Sequence, residues 1–353
     1  MSSAPATIAA PVASRRLTWA VDAARIVAPF VAALLVGAII LWATGRDAIE
    51  TYRLLARYSF GDWSAFANTL ASATPVMLTG LATAFAFRAG VFNVGVEGSL
   101  YLGAFGAAWA AFTFVHVGGV PLIVLALALA ALGGAIVGLV PGLLKVFWGV
   151  DEVVSTLMFN FVVIGFTSYL VNGPYLALGT ANSMSPQIAS QAELPSLSPP
   201  SQMTAGILIA AGVALVFWFV YARTTIGYEL RTVGANRRFA AASGISIARA
   251  VVLAMIVSGL IGGLAGGIQI LGVNHRFIDH FSPGYGFTGI AVALLGRNTA
   301  VGCVLAAIFF GALANGESTV QLFTNIPLEL ISVLQGTVMI FAVVQLGRRR
   351  ART

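Results

Sequence analysis

The chain has 353 residues, of which 59% are hydrophobic and only 9% are charged, and its mean hydropathy is +0.93. Charged residues make up about a quarter of a typical soluble domain, so this composition excludes a soluble protein and indicates an integral membrane protein. The net charge of +7 comes from loops between apolar segments and does not indicate binding to nucleic acid.

Apolar segments follow one another along the chain and predict an all-α fold, a polytopic membrane helical bundle of about ten transmembrane helices. A helix needs about 20 apolar residues to cross a bilayer, and the runs lack the strict alternation of barrel strands. The eighth segment is short for a crossing, so a re-entrant segment is the alternative there. The predicted segments are 26–44, 66–87, 98–115, 120–144, 153–171, 205–222, 250–273, 285–296, 300–316 and 330–346.

The Lys and Arg residues orient the bundle, because cytoplasmic loops carry an excess of basic residues. Ten crossings with both termini in the cytoplasm place most of the 19 basic residues inside, and the loop 172–201, which has no Lys or Arg, then lies outside. The predicted division is a cytoplasmic segment 1–25, a membrane domain 26–347 and a basic cytoplasmic tail 348–353. An export signal is the alternative for the N-terminus, but no small-residue cleavage site follows its apolar run, so we expect a retained helix.

The stretch FRAGVFNVGVEG, residues 87–98, interrupts two apolar segments with an Arg, an Asn, a Glu and three Gly. A charged side chain costs about 2.5–3.5 kcal/mol at the centre of an inserted helix, which favours an interface or a polar lumen for Arg88 and Glu97. The simpler interpretation is a tight turn, in which Asn93 caps the next helix and Glu97 favours its N-terminal dipole. Capping and lining a pathway are compatible roles.

A second interruption, VNHRFIDHFSPGYGF at 273–287, precedes the short eighth segment. Two broken sites suggest a pathway between two halves of a bundle, and a weak echo of TGLATAFAFR (79–88) in TGIAVALLGR (288–297) points the same way. The histidines and the aspartate within 275–280 are expected to be surface loop residues, because their spacing suits no metal-ligand pattern. We expect the pathway to be lined by Phe92, Asn93, Glu97, Asn160, Gln269 and Tyr285.

Small residues recur in the segment SGLIGGLAGGIQI, where Gly259, Gly263 and Gly267 are four apart. This spacing predicts a face for close helix contact. The single cysteine, Cys303, lies in a predicted span and is expected to be a small buried side chain.

The longest inside loop, 223–249, contains RRFAAAS between the turn signals GAN and SGI, which predicts a short helix held out into the cytoplasm. A basic anchor on anionic lipid is the alternative. The chain has one lysine and no G-x-x-x-x-G-K-[ST] motif, so it lacks the usual phosphate loop, and the spans lack a proton relay or a catalytic cluster. A docking loop without its own ATP site implies a separate ATPase.

Four stretches together resemble the permease subunits of bacterial nucleoside ABC transporters, within the broader group of branched-chain amino-acid and ribose permeases. The resemblance covers residue 65 to the C-terminus. The stretches are FRAGVFNVGVEG, VDEVVSTLMFNFV, ELRTVGANRRFAAASGI and FSPGYGFTGIAVALLGRN.

The resemblance implies a non-enzymatic, multi-pass subunit of the bacterial cytoplasmic (inner) membrane that forms the pathway for a small polar solute. Nucleosides are the expected solute, and simple sugars or a proton-coupled carrier are the alternatives. The implied partners are a cytoplasmic ATPase that carries ATP and Mg²⁺, a second and non-identical permease, and an extracytoplasmic binding lipoprotein; no cofactor or metal is expected on this chain. The expected ATPase-coupling residues are Gly234, Ala235, Asn236, Arg237, Arg238, Ala241, Ala242 and Gly244.

Overall fold

A computed structural model describes residues 31, 34–43, 45, 47–180, 182–323 and 336, with side chains up to residue 316 in the last helix. Within these residues the chain is helical, and its only β-type pairings are two isolated bridges. The helices are α1 (Leu34–Ala43), α2 (Ala48–Phe60), α3 (Trp63–Arg88), α4 (Val96–Thr113), α5 (Gly119–Trp148), α6 (Glu152–Asn172), α7 (Gly206–Arg223), α8 (Thr225–Ala235), α9 (Arg237–Ala242), α10 (Ile247–Gln269), α11 (Tyr285–Leu295) and α12 (Ala300–Phe323).

The described chain falls into two units: the first holds the residues up to Thr51 together with Gly336, and the second holds residues 52–323. The contacts described below all lie within the second unit. The predicted tenth segment 330–346, the N-terminal segment 1–25 and the tail 348–353 lie outside the described residues, apart from Gly336.

Five helices of the described part are long and apolar enough to cross a membrane: α3, α5, α6, α7, and α10 with its π-helical extension to Asn274. The outer faces of α5, α6 and α7 are apolar; on α6, for example, Phe161 is 65% exposed and Tyr169 is 67% exposed. Such faces suit lipid rather than water. The composition and these helices identify an integral membrane protein.

Helix α10 packs closely against α5 and α4 through its glycines. A Cβ at Gly259 or Gly263 would collide with the backbone of α5, and one at Gly266 would collide with the backbone of α4. This confirms the predicted small-residue face, which allows backbones to approach where larger side chains would separate them. Cys303 is fully buried, as the sequence predicts.

The helices break at both predicted interruptions. Residues 91–94 have no helical structure before α4 begins, and α10 ends in a π-helical turn, Ile270–Asn274, followed by irregular chain up to α11. Helix α11 has 11 residues, which corresponds to about 16 Å, or about half of a bilayer core. The predicted eighth segment is therefore too short to cross a bilayer as a helix. A crossing at this point would also need the non-helical residues 275–284.

The irregular chain before α11 is joined to the loop between α6 and α7. The Ser185 amide donates to the Phe277 carbonyl (2.8 Å), and the Asp279 amide donates to the Ser183 carbonyl (2.9 Å). Asp279 also accepts from the Ser168 hydroxyl near the end of α6 (2.9 Å). These bonds place the two segments at the same end of the bundle.

The predicted cytoplasmic loop contains two helices rather than one. The short helix is confirmed as α9, and Asn236 caps it by accepting a hydrogen bond from the Phe239 amide (3.1 Å). The interpretation of Gly234 and Ala235 as turn residues was wrong, because they form the last turn of α8. Gly244 does end the motif, with a φ of +79° that favours glycine.

Candidate translocation pathway and cytoplasmic coupling surface

The two interrupted stretches meet at one point, between the start of α4 and the start of α11. The buried carboxylate of Glu97 accepts a hydrogen bond from the Gly286 amide (2.5 Å), across 189 residues of sequence. A Cβ at Gly286 would lie 2.7 Å from Cα of Glu97, so only glycine fits there. We call this contact the Glu97–Gly286 junction.

The electrostatic logic of the junction follows from the helix ends. The N-terminus of a helix has unpaired amides and a partial positive charge, and two such ends converge here. The Glu97 carboxylate compensates for both. The predicted dipole role was thus incomplete, because Glu97 lies in the first turn of α4 yet bonds directly to the first turn of α11.

The predicted cap by Asn93 was wrong in detail. The residue before α4 is Gly95, and the side-chain oxygen of Asn93 accepts from the Gly95 backbone amide (2.8 Å). The side-chain amide of Asn93 donates to the Ser258 hydroxyl of α10 (2.8 Å). The free amide of Gly98 is instead satisfied by Asn160 of α6 (2.9 Å). Residues 93–98 are therefore held in place from two other helices.

Asn160 closes a second bond on the same stretch, since its side-chain amide donates to the Val94 carbonyl (3.0 Å). The Val94 amide in turn donates to the Thr156 hydroxyl one turn earlier on α6 (3.2 Å). Both polar groups of this non-helical residue are thereby satisfied in a buried position. The role of Thr156 was not predicted, and its place one turn before Asn160 on the helix is the signal that could have found it.

The predicted pathway residues do not share one surface. Asn93, Glu97 and Asn160 are each at most 3% exposed and gather around the start of α4, and Tyr285 begins α11 beside them. Gln269 lies apart, at the end of α10, where it bonds Asn274 (3.4 Å).

Phe92 is 40% exposed and stacks on Phe87, with ring centroids 4.4 Å apart. It lies in the non-helical stretch that follows α3 and leads to α4. Its exposed ring is the part of this stretch that is open to a label or a partner.

The α3–α11 contact places the start of α11. The Thr79 hydroxyl donates to the Tyr285 carbonyl (2.8 Å), and Gly289 and Gly80 allow the two backbones to approach closely. Thr79, Gly80 and Gly289 all lie within the two stretches that echo each other in the sequence.

Arg88, at the end of α3, contacts two aromatic rings and does not face a polar lumen. Its guanidinium lies 4.7 Å from the centroid of the Tyr221 ring and 5.7 Å from that of Phe217. The Tyr221 hydroxyl donates to the Phe85 carbonyl (2.8 Å), which fixes the ring. A cation over an aromatic face is stabilised without a counter-ion.

The short helix α9 presents an apolar surface. Phe239 is 58% exposed, and Ala241 and Ala242 are exposed beside it. Ala240, between Phe239 and Ala241, is fully buried against this chain. Phe239 was missed as a surface residue, although its spacing of three from Ala242 places both on one face.

The same loop contacts the α3–α4 connection. The Arg237 guanidinium donates to the Gly90 carbonyl (3.1 Å), and a Cβ at Gly90 would lie 2.9 Å from Cα of Gly234. The Arg238 side chain, in contrast, is exposed and makes no hydrogen bond to the described residues.

Comparison with known proteins gives a family match over residues 65–343, to the family described as branched-chain amino acid transport system / permease component. The guanosine ABC transporter permease protein NupP of Bacillus subtilis is 34% identical, over 87% of this chain and 89% of that protein. The glucose ABC transporter permease protein TsgB13 of Haloferax volcanii is also 34% identical, over 88% and 84%.

A third relative, the nucleoside ABC transporter permease protein NupB of Lactococcus lactis, is 29% identical over 88% of each chain. The family match covers well over half of the chain and includes both helix interruptions and the α8–α9 loop. The chain is thus an ABC transporter permease subunit and belongs to the branched-chain amino acid transport system permease family.

Proposed function

We propose that this permease forms the pathway for nucleosides in an ABC importer. The observation that carries the pathway is the Glu97–Gly286 junction, where two broken helices meet inside the bundle. Discontinuous helices whose ends meet near the membrane centre are a recurrent way to build a solute site. Nucleosides are supported by two relatives named for guanosine and nucleoside transport, and a relative named for glucose transport keeps simple sugars as the second candidate.

The proposed assembly lies in a bacterial cytoplasmic membrane. A separate cytoplasmic ATPase binds ATP and Mg²⁺ and seats on the loop 223–249, while a second, non-identical permease completes the pathway. An extracytoplasmic binding lipoprotein delivers the solute. The apolar face of α9, with Phe239 and Ala242 exposed, supports the ATPase contact.

The proposed topology has ten crossings with both termini in the cytoplasm, and a membrane domain 26–347 between the terminal segments 1–25 and 348–353. The contacts within the second unit support the assigned sides. The loop between α6 and α7 bonds residues 277 and 279, both expected outside, and Gly234 touches Gly90, both expected inside.

Cysteine labelling tests this topology. Leu178, between α6 and α7, is 99% exposed, and Phe239 on α9 is 58% exposed. An impermeant thiol reagent added to intact cells should label Leu178→Cys and leave Phe239→Cys unlabelled until the membrane is opened and the ATPase, which is proposed to cover α9, is removed. The native Cys303 is buried and serves as the internal blank. Labelling of Phe239→Cys in intact cells would reject the proposed orientation.

Competition for uptake tests the solute class. Cells that hold this chain and its partner subunits should take up labelled guanosine, and excess adenosine or uridine should abolish that uptake, whereas excess glucose should leave it unchanged. Uptake of labelled glucose and not of guanosine, dependent on this chain, would favour the sugar alternative.

A further inference from the structure

We infer that the α3–α4 connection, residues 89–95, is the element of this permease that receives movement from the ATPase, through its backbone contact with Gly234. This inference rests on the proposed role of the loop 223–249 in binding the ATPase. It adds the step that follows binding: the route by which a displacement of α8 and α9 reaches the buried Glu97–Gly286 junction.

The first link is a contact between two backbones. A Cβ at Gly234 would collide with the Arg88 carbonyl oxygen and lie 3.0 Å from the Gly90 amide nitrogen. Gly90 itself has a φ of +72°, which L side chains rarely adopt. The atoms nearest to a Cβ at Gly234 are all backbone atoms of residues 88–90, so a displacement of one backbone is passed directly to the other.

The second link is the hydrogen bond from Arg237 to the Gly90 carbonyl (3.1 Å). Arg237 is the first residue of α9, and Gly234 lies in the last turn of α8. The corner between the two cytoplasmic helices therefore holds Gly90 through two independent contacts. Movement of the corner toward Gly90 is transmitted by the backbone contact, and movement away from Gly90 is transmitted by the hydrogen bond.

The third link runs along the chain itself. Five residues after Gly90 the non-helical stretch ends at Gly95, and α4 begins with Glu97 in its first turn. Asn93, within this stretch, is tied to Ser258 of α10 (2.8 Å). A shift of the connection thus reaches the Glu97–Gly286 junction without passing through a long helix.

The competing route leaves the loop through α7. Gly227 at the start of α8 packs directly on the Val220 carbonyl of α7. This route would move α7 and leave residues 89–95 in place. Because spatial proximity alone does not establish coupling, the two routes have to be separated by measurement.

The experiment uses the complete complex with its ATPase, second permease and binding protein. A fluorescent label on Phe92→Cys reports on the connection, since Phe92 is 40% exposed, and a label on Val216→Cys, 61% exposed on α7, reports on the competing route. Addition of a non-hydrolysable ATP analogue should change the signal at position 92 and not at position 216. The signal is expressed per bound ATPase.

Gly234→Ala should reduce the ATP-dependent fluorescence change of the label at position 92 at least about fivefold, when that change is divided by the amount of bound ATPase. The matched control is Gly212→Ala on α7, where no atom lies within 4 Å of the added Cβ, and it should respond like the parent. If Gly234→Ala does not assemble, Arg237→Gln decides, because it removes the bond to Gly90 without adding volume. Its control is Arg57→Gln, at an exposed arginine of α2 outside the loop 223–249.

The possible results distinguish a failure of the inferred route from a failure of the proposed ATPase binding by the loop 223–249. A parent complex that fails to bind the ATPase would overturn the proposed role of the loop, and the inference with it. Bound ATPase with no change at position 92, or with a change that survives both Gly234→Ala and Arg237→Gln, would overturn the inference alone. A change at position 216 instead would assign transmission to α7.

Discussion

Replacing Ala241 with glutamate is expected to abolish both uptake and the stimulation of ATP hydrolysis by the solute-loaded binding protein. Ala241 is exposed on α9, and the expected contact is a small apolar surface seated in a groove of the ATPase. An unpaired charge buried in such a contact costs about 3–5 kcal/mol, enough to prevent productive docking. Stimulated ATP hydrolysis by the purified complex is the measurement.

The matched control is Ala248→Glu. Ala248 is also exposed and belongs to the same loop, but it lies in the first turn of α10 and not on α9. We expect Ala248→Glu to keep most of the stimulation. If the loop only anchors the chain to lipid, the two variants should be equally mild, and charge reversal at the arginines should matter instead; that pattern would contradict the coupling role.

The second large effect is expected at Glu97. Its carboxylate accepts from the buried Gly286 amide (2.5 Å). Alanine would leave this amide without a partner, which costs about 1–3 kcal/mol and should displace the start of α11. We expect Glu97→Ala to lower uptake at least about tenfold in an intact complex.

Glu97→Gln separates two roles for the same side chain. A glutamine carbonyl can still accept from Gly286, so uptake should be largely retained if Glu97 acts by positioning α11. If the negative charge itself binds the solute, glutamine should lower uptake as much as alanine does. Normal uptake by Glu97→Ala would show that the Glu97–Gly286 junction is dispensable.

The local breaks in this fold could be predicted from the sequence, but the partners across each break could not. Glycines and polar groups in residues 87–98 predicted an interruption, because lipid excludes such groups. That Glu97 bonds Gly286, 189 residues away, depends on how α3, α4 and α11 pack, and no local signal encodes this.

In the loop 223–249, too, local features were predictable and tertiary contacts were not. The α9 helix was predictable because Asn236 and Gly244 mark its ends by local chemistry. Gly234 was misread as a turn residue because glycine is rare in helix interiors. The reason for a glycine at position 234 is a tertiary contact: the Arg88 carbonyl approaches so closely that a side chain would not fit.

Packing of α10 was predictable on one side only. The spacing of Gly259 and Gly263 indicated a close contact, and the structure shows that Gly134 of α5 completes it. The partner could not be chosen from the sequence, since several helices carry small residues at suitable spacing. Likewise the burial of Ala240, beside the exposed Ala241, depends on how α9 lies on the bundle.

Reconstitution into vesicles tests most directly the proposal that a separate ATPase drives transport through this permease. Vesicles that hold the complete complex should take up guanosine when Mg-ATP is supplied on the ATPase side and the binding protein on the other. Vesicles that hold the two permeases without the ATPase should take up none, even with an imposed pH gradient. Guanosine accumulation by the permeases alone, driven by that gradient, would contradict the account.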